Sequence, residues 1–179
     1  MTTLDEQLIE QSQKGDSVRV KELLENGADV NTKTNYGKTA LHWSAGNSHT
    51  EVVRVLLENG ADIHAKDNYG RTALHRSAWG DNIEVIRVLL EHGVDINAKD
   101  DDDKTALHES AWDGHTKVIR LLLEHGADVN AKDNWDKTAL HYSAENGHTE
   151  VVGFLLENGV DIHADNDYAL HYSAENGHL

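Results

Sequence analysis

Thirteen histidines give this sequence its most obvious chemical potential, because an imidazole can bind a metal ion or act as a general base near neutral pH. Their spacing argues against both uses. His42, His75, His108 and His141 each close the string T-A-L-H at intervals of 33 residues, and most of the other histidines keep the same step. Residues placed by a repeating register are expected to serve the scaffold. We therefore predict that the histidines form neither a metal site nor a catalytic site.

Strings that mark known catalytic sites do not occur in the sequence. It holds no H-E-x-x-H, no G-x-G-x-x-G or G-x-x-x-x-G-K-S/T, and no G-x-S-x-G. It also lacks cysteine, so it has no thiolate nucleophile and no thiolate metal ligand, and this composition fits a reducing compartment. We predict that the chain is not an enzyme, binds no cofactor and resides in the cytoplasm.

The densest run of charge is Asp100 to Asp103. Carboxylate oxygens suit a hard cation such as Ca²⁺, but four adjacent acids cannot all converge on one ion, and the alternate spacing of an EF-hand loop is missing. Three interpretations stay open for this run: a solvated loop tip, an acidic contact for a basic partner, or a metal site.

The overall charge restricts the class of partner. Thirty-two acidic residues against sixteen basic ones give a formal net charge of −16, which disfavours nucleic acid and anionic membranes. No apolar run approaches the roughly 18 residues that a membrane span needs. The first ten residues carry acids where a signal peptide would carry basic residues. We predict no binding to nucleic acid or membranes.

Three independent markers share the 33-residue period of the histidines. The string T-A-L-H begins at residues 39, 72, 105 and 138, a Leu-Leu-Glu string begins at 23, 56, 89, 122 and 155, and a glycine follows each of these at 27, 60, 93, 126 and 159. The chain is a tandem array.

Each unit predicts two helices and a polar loop. Thr39 is a candidate N-cap for a short helix that ends near Asn47, with small residues on its packing side. Residues 50–59 predict a second helix whose valines and leucines are too many for one face, and Gly60 predicts a left-handed helix end. Residues 61–71 have turn composition. One such helix pair cannot bury its apolar face alone, but stacked pairs can.

These residues resemble the ankyrin-repeat family. The string T-A-L-H-W-S-A at residues 39–45 and the string G-A-D-I-H-A-K-D at residues 60–67 carry the likeness, which covers essentially the whole chain. The resemblance implies an all-α solenoid of stacked helix-turn-helix units with projecting hairpin-like finger loops. It also implies that the concave side formed by the fingers and inner helices is the contact surface for another protein.

The register predicts one array over residues 1–179. An N-terminal cap repeat, 1–36, has a polar first helix in which Leu8 takes the position of Leu41. It is followed by repeats 37–69, 70–102, 103–135 and 136–165 and by a truncated repeat, 166–179, which reads either as part of a longer array or as an improvised cap. Alanine replaces the family's proline at 40, 73, 106 and 139, which predicts a less rigid array. Asp103 and Asp136 replace Gly37 and Gly70 at the finger tips.

The aromatic residues indicate where a partner would bind. Most occupy finger tips or inner-helix positions whose residue type differs between repeats, and Trp and Tyr often dominate the binding energy of protein interfaces. Some of these rings, at positions 43, 142 and 172 above all, could instead only pack between repeats. The predicted partner-binding residues, which include nearby charged side chains, are Tyr36, Trp43, Tyr69, Arg76, Trp79, Asp101, Asp102, Glu109, Trp112, Asp113, Trp135, Tyr142 and Glu145.

These observations predict a non-catalytic protein-interaction module that acts as a monomer. The expected partner is a protein with a basic and partly apolar patch, which complements aromatic anchors in an acidic rim. Three other interpretations stay open: a spacer segment of a larger ankyrin-repeat protein, an engineered array without a natural partner, and an enzyme with a site composed across repeats.

Overall fold

The computed structural model describes residues 2–161, and every regular element within that range is an α-helix. The helices alternate between a first and a second helix of each repeat. The first helices are α1 (Leu4–Lys14), α3 (Ala40–Gly46), α5 (Ala73–Trp79), α7 (Ala106–Asp113) and α9 (Ala139–Glu145). The second helices are α2 (Ser17–Glu25), α4 (Thr50–Glu58), α6 (Ile83–Glu91), α8 (Thr116–Glu124) and α10 (Thr149–Glu157). The predicted all-α repeat fold is confirmed.

The first helices begin where the sequence places a threonine. Thr39 is extended, with φ −90° and ψ 172°, and its backbone N–H donates to Nδ1 of His42 at 3.1 Å. The small residues Ser44 and Ala45 of α3 are fully buried. Ser44 Oγ donates to the carbonyl of Ala40 at 3.0 Å, which satisfies a hydroxyl that has no access to water. Small buried residues allow adjacent first helices, such as α3 and α5, to pack closely.

The second helices bury apolar residues on more than one face. In α4, the side chains of Val52, Val53 and Leu56 are buried, and the helix packs against α2, α3 and α6. This packing explains why its apolar residues outnumber the positions on one helix face. Gly60 follows in the left-handed region at φ 84°, as the sequence predicts.

The loops between repeats close as tight turns, which we call fingers. In the second finger, Asp67 N–H donates to the carbonyl of Arg71 at 2.9 Å and Gly70 N–H donates back to the carbonyl of Asp67 at 3.0 Å. Gly70 has φ 71°, and the aspartates at the same turn position, Asp103 and Asp136, have φ 59°. The aspartates take the left-handed conformation that glycine has at this position, and aspartate tolerates this region better than most residues.

The chain divides into two compact units, residues 1–95 and 96–179. The first contains α1 to α6, and the described part of the second contains α7 to α10. Leu8 of α1 is buried, as is its counterpart Leu41 in α3. The truncated repeat, with Tyr168 and Tyr172, lies outside the described residues. None of the helices between residues 2 and 161 has the length and apolar character required to cross a bilayer.

Candidate functional site

Five large aromatic side chains are exposed in the described residues, and all five lie on fingers or first helices. Their exposed fractions lie between 49% and 64%. Three are at finger tips and two are near the ends of first helices: Tyr36, Tyr69, Trp135, Trp79 and Trp112. The other large apolar residues exposed in this part of the chain are aliphatic: Leu4, Val18 and Leu156. Within each unit, the exposed rings are therefore concentrated on fingers and first helices.

A buried aspartate holds each of three fingers in shape. Asp67 Oδ1 accepts the backbone N–H groups of Tyr69 at 2.9 Å and Arg71 at 3.1 Å. Asp100 and Asp133 accept the corresponding N–H groups of the next two fingers at 2.8 to 3.0 Å. The backbone at each finger tip is thereby fixed, which positions Tyr69 and Trp135.

The second oxygen of the finger aspartate binds the first helix that follows the finger. In the first unit, Arg76 donates to Asp67 Oδ2; the side chain of Arg76 is 12% exposed and that of Asp67 is fully buried. Burial alone would raise the pKa of Asp67, but the hydrogen bonds from Arg76 and the two backbone amides outweigh it and lower the pKa. Arg76 therefore neutralises a buried carboxylate as well as facing the predicted surface.

Lys38 and Arg71 complete a cluster of cations and rings in the first unit. Lys38 Nζ lies 4.1 Å from the ring centroid of Trp43, and the guanidinium carbon of Arg71 lies 4.7 Å from that of Tyr69. Burial, followed by the nearby charge of Arg76, lowers the pKa of Lys38. Lys38 thus contacts the predicted residue Trp43, and Arg71 contacts the predicted residue Tyr69. The charge of the predicted residue Arg76 acts on Lys38.

Tyr142 is the centre of a second cluster, in the second unit. Its hydroxyl donates to Asp133 Oδ2, its ring centroid lies 5.5 Å from that of Trp112, and its ring meets His108 edge-on at 5.9 Å. Only 4% of Tyr142 is exposed. Burial and the Asp133 carboxylate raise the pKa of Tyr142 well above its usual range. The ring mainly supports Trp112, whose own ring is exposed.

Two lysines lie against the rings of this second cluster. Lys104 Nζ lies 5.0 Å from the ring centroid of Tyr142, 5.5 Å from Trp135 and 6.0 Å from Trp112. Lys137 Nζ lies 5.6 Å from the Tyr142 centroid and forms a 2.6 Å ion pair with Glu145. The predicted residues Trp112, Trp135, Tyr142 and Glu145 are brought together in this way.

Four basic residues of these clusters were missed by the sequence reading, although the repeat contains a signal for them. The residue directly before each T-A-L-H string is basic in every repeat. In the structure each of these four side chains lies over at least one aromatic ring: Lys38, Arg71, Lys104 and Lys137. The net charge of the whole chain is strongly negative and therefore gives no indication of this repeated basic position.

The four aspartates of the third finger have separate roles. Asp100 is buried and caps the turn, whereas Asp103 adopts the left-handed conformation and pairs with Lys99 at 3.3 Å. Asp101 and Asp102 are exposed. In the part of the chain that the structure describes, no group of three histidine, aspartate or glutamate side chains is arranged to hold a metal ion.

The remaining predicted residues lie outside the two clusters. Trp79 is the last residue of α5, and Tyr36 is at the tip of the first finger, where its carbonyl accepts the N–H of Asn68 at 3.1 Å. On α7, Glu109 is half-buried and Asp113 is exposed at the helix end.

The described histidines serve the scaffold where their hydrogen bonds are seen. His42 accepts from Thr39 through Nδ1, and its Nε2 lies 2.9 Å from the carbonyl of Arg71 in the next finger. We assign the neutral tautomer with hydrogen on Nε2, since only that form satisfies both contacts. His108 makes the equivalent contacts with Thr105 and Lys137. His49 and His148 each contact a carbonyl near the end of the first helix one repeat earlier, in α1 and α7 respectively.

Two clefts of about 270 and 300 Å³ lie away from the predicted residues. The first is between α1 and the first finger and includes Thr3, Glu6 and Ile9. The second is formed by the turns before α4 and α6 and includes Ser48, Asp81 and Asn82. None of the thirteen predicted binding residues lines either cleft, so neither changes the assignment of the candidate surface.

Comparison with known proteins agrees with the repeat register. A family model described as ankyrin repeats (3 copies) matches residues 8–100, 68–133, 97–166 and 132–179. No curated protein matches the sequence.

Proposed function

Because the family matches together span residues 8–179, the chain belongs to the ankyrin-repeat family, and we propose that it recognises another protein through the surface formed by its first helices and fingers. Ankyrin repeats are generally protein–protein interaction modules, and the family is typically non-enzymatic. We extend that non-catalytic character to this chain.

The observation that carries this proposal is the placement of the exposed rings. Every exposed aromatic side chain in residues 2–161 belongs to a finger or a first helix. The large apolar side chains exposed on second helices in this range are aliphatic: Val18 and Leu156. Large rigid rings contribute much contact area at low cost in conformational entropy, so such residues commonly dominate binding. A folding requirement does not explain rings that stay half or more exposed.

The charged residues of the second unit indicate the chemical character of the partner surface that would bind to this unit. The exposed Asp101 and Asp102 accompany the exposed rings of Trp112 and Trp135. A basic and partly apolar patch on the partner complements this combination. We propose that the chain acts as a monomer, because a net charge of −16 opposes self-association. The cysteine-free composition supports a cytoplasmic setting for this recognition.

The test compares the double variant Trp79→Ala/Trp112→Ala with Val18→Ala/Leu156→Ala. The control removes two exposed apolar side chains from second helices and keeps every ring. A partner captured from a lysate of the source organism is identified by mass spectrometry, purified and titrated against all three proteins.

We expect the tryptophan variant to bind the purified partner at least about tenfold more weakly, with unchanged helix content by circular dichroism. The control is expected to bind like the original chain. Equal affinity of the tryptophan variant and the original chain would contradict the assignment of the surface.

A further inference from the structure

The first two fingers and the first helices that follow them, α3 and α5, carry a charge opposite to that of the whole chain. Residues 30–46 and 63–79 contain five basic residues and one acidic residue, Asp67, a net charge of +4. The corresponding segments of the second unit, 96–112 and 129–145, contain four basic and eight acidic residues. The chain's net charge of −16 therefore does not describe this part of its first unit.

The single acid in these segments is not available to a partner. The carboxylate of Asp67 is fully buried and is occupied by Arg76 and two backbone N–H groups. It lies 3.9 Å from Arg71 Nε, too far for a strong hydrogen bond. Arg76 thus compensates Asp67, and the charges of Lys38 and Arg71 are left in excess. We call Lys38, Arg71 and Arg76 the basic patch.

The hydrogen bonds of this cluster show a shortage of acceptors. The indole Nε1 of Trp43 and the Nε atoms of Arg71 and Arg76 are buried without an acceptor. Buried donors of this kind are normally paired, so their coincidence in one cluster indicates a place where an acceptor is missing. A carboxylate arriving at the basic patch would supply acceptor oxygens that Asp67 alone does not.

The basic patch is also held in place before any partner arrives. Lys38 and Arg71 rest on the rings of Trp43 and Tyr69. The two fingers that carry them are joined by Asn68, whose backbone N–H and side-chain Nδ2 donate to the first finger at 3.1 and 3.0 Å. Ordered side chains lose less conformational entropy on binding.

We propose that the basic patch of the first unit binds an acidic peptide segment of the partner protein, with Lys38 and Arg71 contacting its carboxylates and Tyr69 its apolar groups. The proposal rests on the proposed function and extends it: the first unit takes an acidic segment, whereas the second unit's acids face a basic patch. Charge complementarity selects this occupant, since a long polyanion would be repelled by the chain as a whole.

The test uses a fluorescein-labelled deca-glutamate peptide as the probe and a labelled deca-lysine peptide for comparison. Fluorescence anisotropy measures binding to the full chain at 50 mM and 200 mM salt. The variant Lys38→Gln/Arg71→Gln removes two charges from the basic patch and leaves Arg76 to neutralise Asp67. The control Lys21→Gln/Arg87→Gln removes two charges from second helices of the same unit.

We expect deca-glutamate to bind the original chain and the control equally, and to lose affinity in the patch variant by about tenfold. The affinity should also fall between 50 and 200 mM salt. Melting temperatures of the three proteins are compared to show that the patch variant is folded.

Failure of deca-glutamate to bind, or an equal loss in both variants, overturns the inference. So does tighter binding of a ten-nucleotide oligothymidylate that depends on the same two residues, because the site would then recognise phosphates. These outcomes are independent of the tryptophan experiment. Partner binding lost in the tryptophan variant but kept in the patch variant would retain the proposed function and reject the acidic-segment site.

Discussion

The hydroxyl of Tyr142 donates a hydrogen bond to the buried carboxylate of Asp133, nine residues earlier in the chain. Arg76 and Asp67 repeat this relationship at the same spacing in the first unit. One position of the first helix is therefore bound to the finger directly before that helix, through a residue that is an arginine in one repeat and a tyrosine in another. Arg76, predicted as a partner contact, and Tyr142, for which packing between repeats was the open alternative, both order fingers that carry exposed rings.

Removing the hydroxyl of Tyr142 should destabilise the fold. Tyr142→Phe keeps the ring against Trp112 but leaves one oxygen of the buried Asp133 carboxylate without its donor. We expect the free energy of unfolding to fall by about 1 to 3 kcal/mol in urea denaturation. The control Tyr36→Phe alters an exposed ring and should change it by less than about 0.5 kcal/mol. Equal stability of the two variants would contradict the role given to this hydrogen bond.

Mild acid should destabilise the protein through its buried histidines. Burial lowers the pKa of His42 and of His108 below the ordinary value of about 6.5. Well above that pH both rings are neutral in the folded and unfolded chain and contribute no pH dependence. As the pH falls below it, the unfolded chain takes up protons that the folded chain resists, so the free energy of unfolding decreases.

Urea denaturation between pH 7.5 and 5.5 measures this effect, since exposed carboxylates titrate mostly below that range. We expect the denaturation midpoint to fall steadily from about pH 6.5 downward. A midpoint that is constant, or that rises toward pH 5.5, would show that these histidines can be protonated within the fold.

Restoring proline at the start of two first helices should stabilise the array. Ala73 and Ala106 are first helical residues, where a backbone N–H has no partner within the helix. The preceding Thr72 and Thr105 are extended, with ψ 174° and 171°, as a residue before proline requires. We expect Ala73→Pro/Ala106→Pro to gain about 0.4 to 1 kcal/mol per site, seen as a higher Tm in calorimetry.

A proline inside a helix provides the opposite control. Lys21→Pro lies within α2 and should destabilise the protein by about 3 kcal/mol. If the double proline variant melted at or below the temperature of the original chain, the prediction of a less rigid, proline-free array would be wrong.

Gly153 should be replaceable by alanine with a gain in stability. It is an exposed residue of α10, and a Cβ built there meets no atom within 4 Å. Gly153→Ala is expected to raise the free energy of unfolding by about 1 kcal/mol through helix propensity. Gly60→Ala is the matched comparison, because its Cβ is equally free but its φ is 84°.

The two sites differ in backbone conformation and not in crowding, so we expect the two substitutions to change the free energy of unfolding in opposite directions. Gly60→Ala should lower it by about 1 to 2 kcal/mol. Thermal denaturation of both variants measures this difference. A loss of stability in both would mean that Gly153 is required for a reason other than its conformation.

Local rules allowed much of the fold to be predicted from the sequence. Thr39 begins a first helix, Gly60 ends a second helix in the left-handed region, and Asp103 and Asp136 adopt that region in place of glycine. Each depends on neighbouring residues only, and the 33-residue repeat tests the same rule several times. The register also assigned the histidines to the scaffold, which His42 and His108 confirm.

The candidate site was predicted less completely. Trp79, Trp112 and Trp135 are exposed, and their role as contact residues stays a prediction; the burial of Tyr142 favours the alternative, left open by the sequence, that its ring packs against a neighbour. The start of α1 also differs from the repeat register. In the register a first helix begins directly after the position of Thr39, as α3 does, whereas α1 begins earlier, at Leu4, with a capping box formed by Thr3 and Glu6.

The sequence by itself determined the repeat, its two helices and finger, and the family, because a regular spacing of threonine, leucine and glycine repeats the same local preferences along the chain. Only the tertiary structure decided which charges remain available on the surface. Asp67 is counted in the net charge of the sequence, yet folding buries it beneath Arg76 and leaves Lys38 and Arg71 in excess. The physical reason is that a finger turn packs against the first helix that follows it, so an acid and a cation nine residues apart become neighbours.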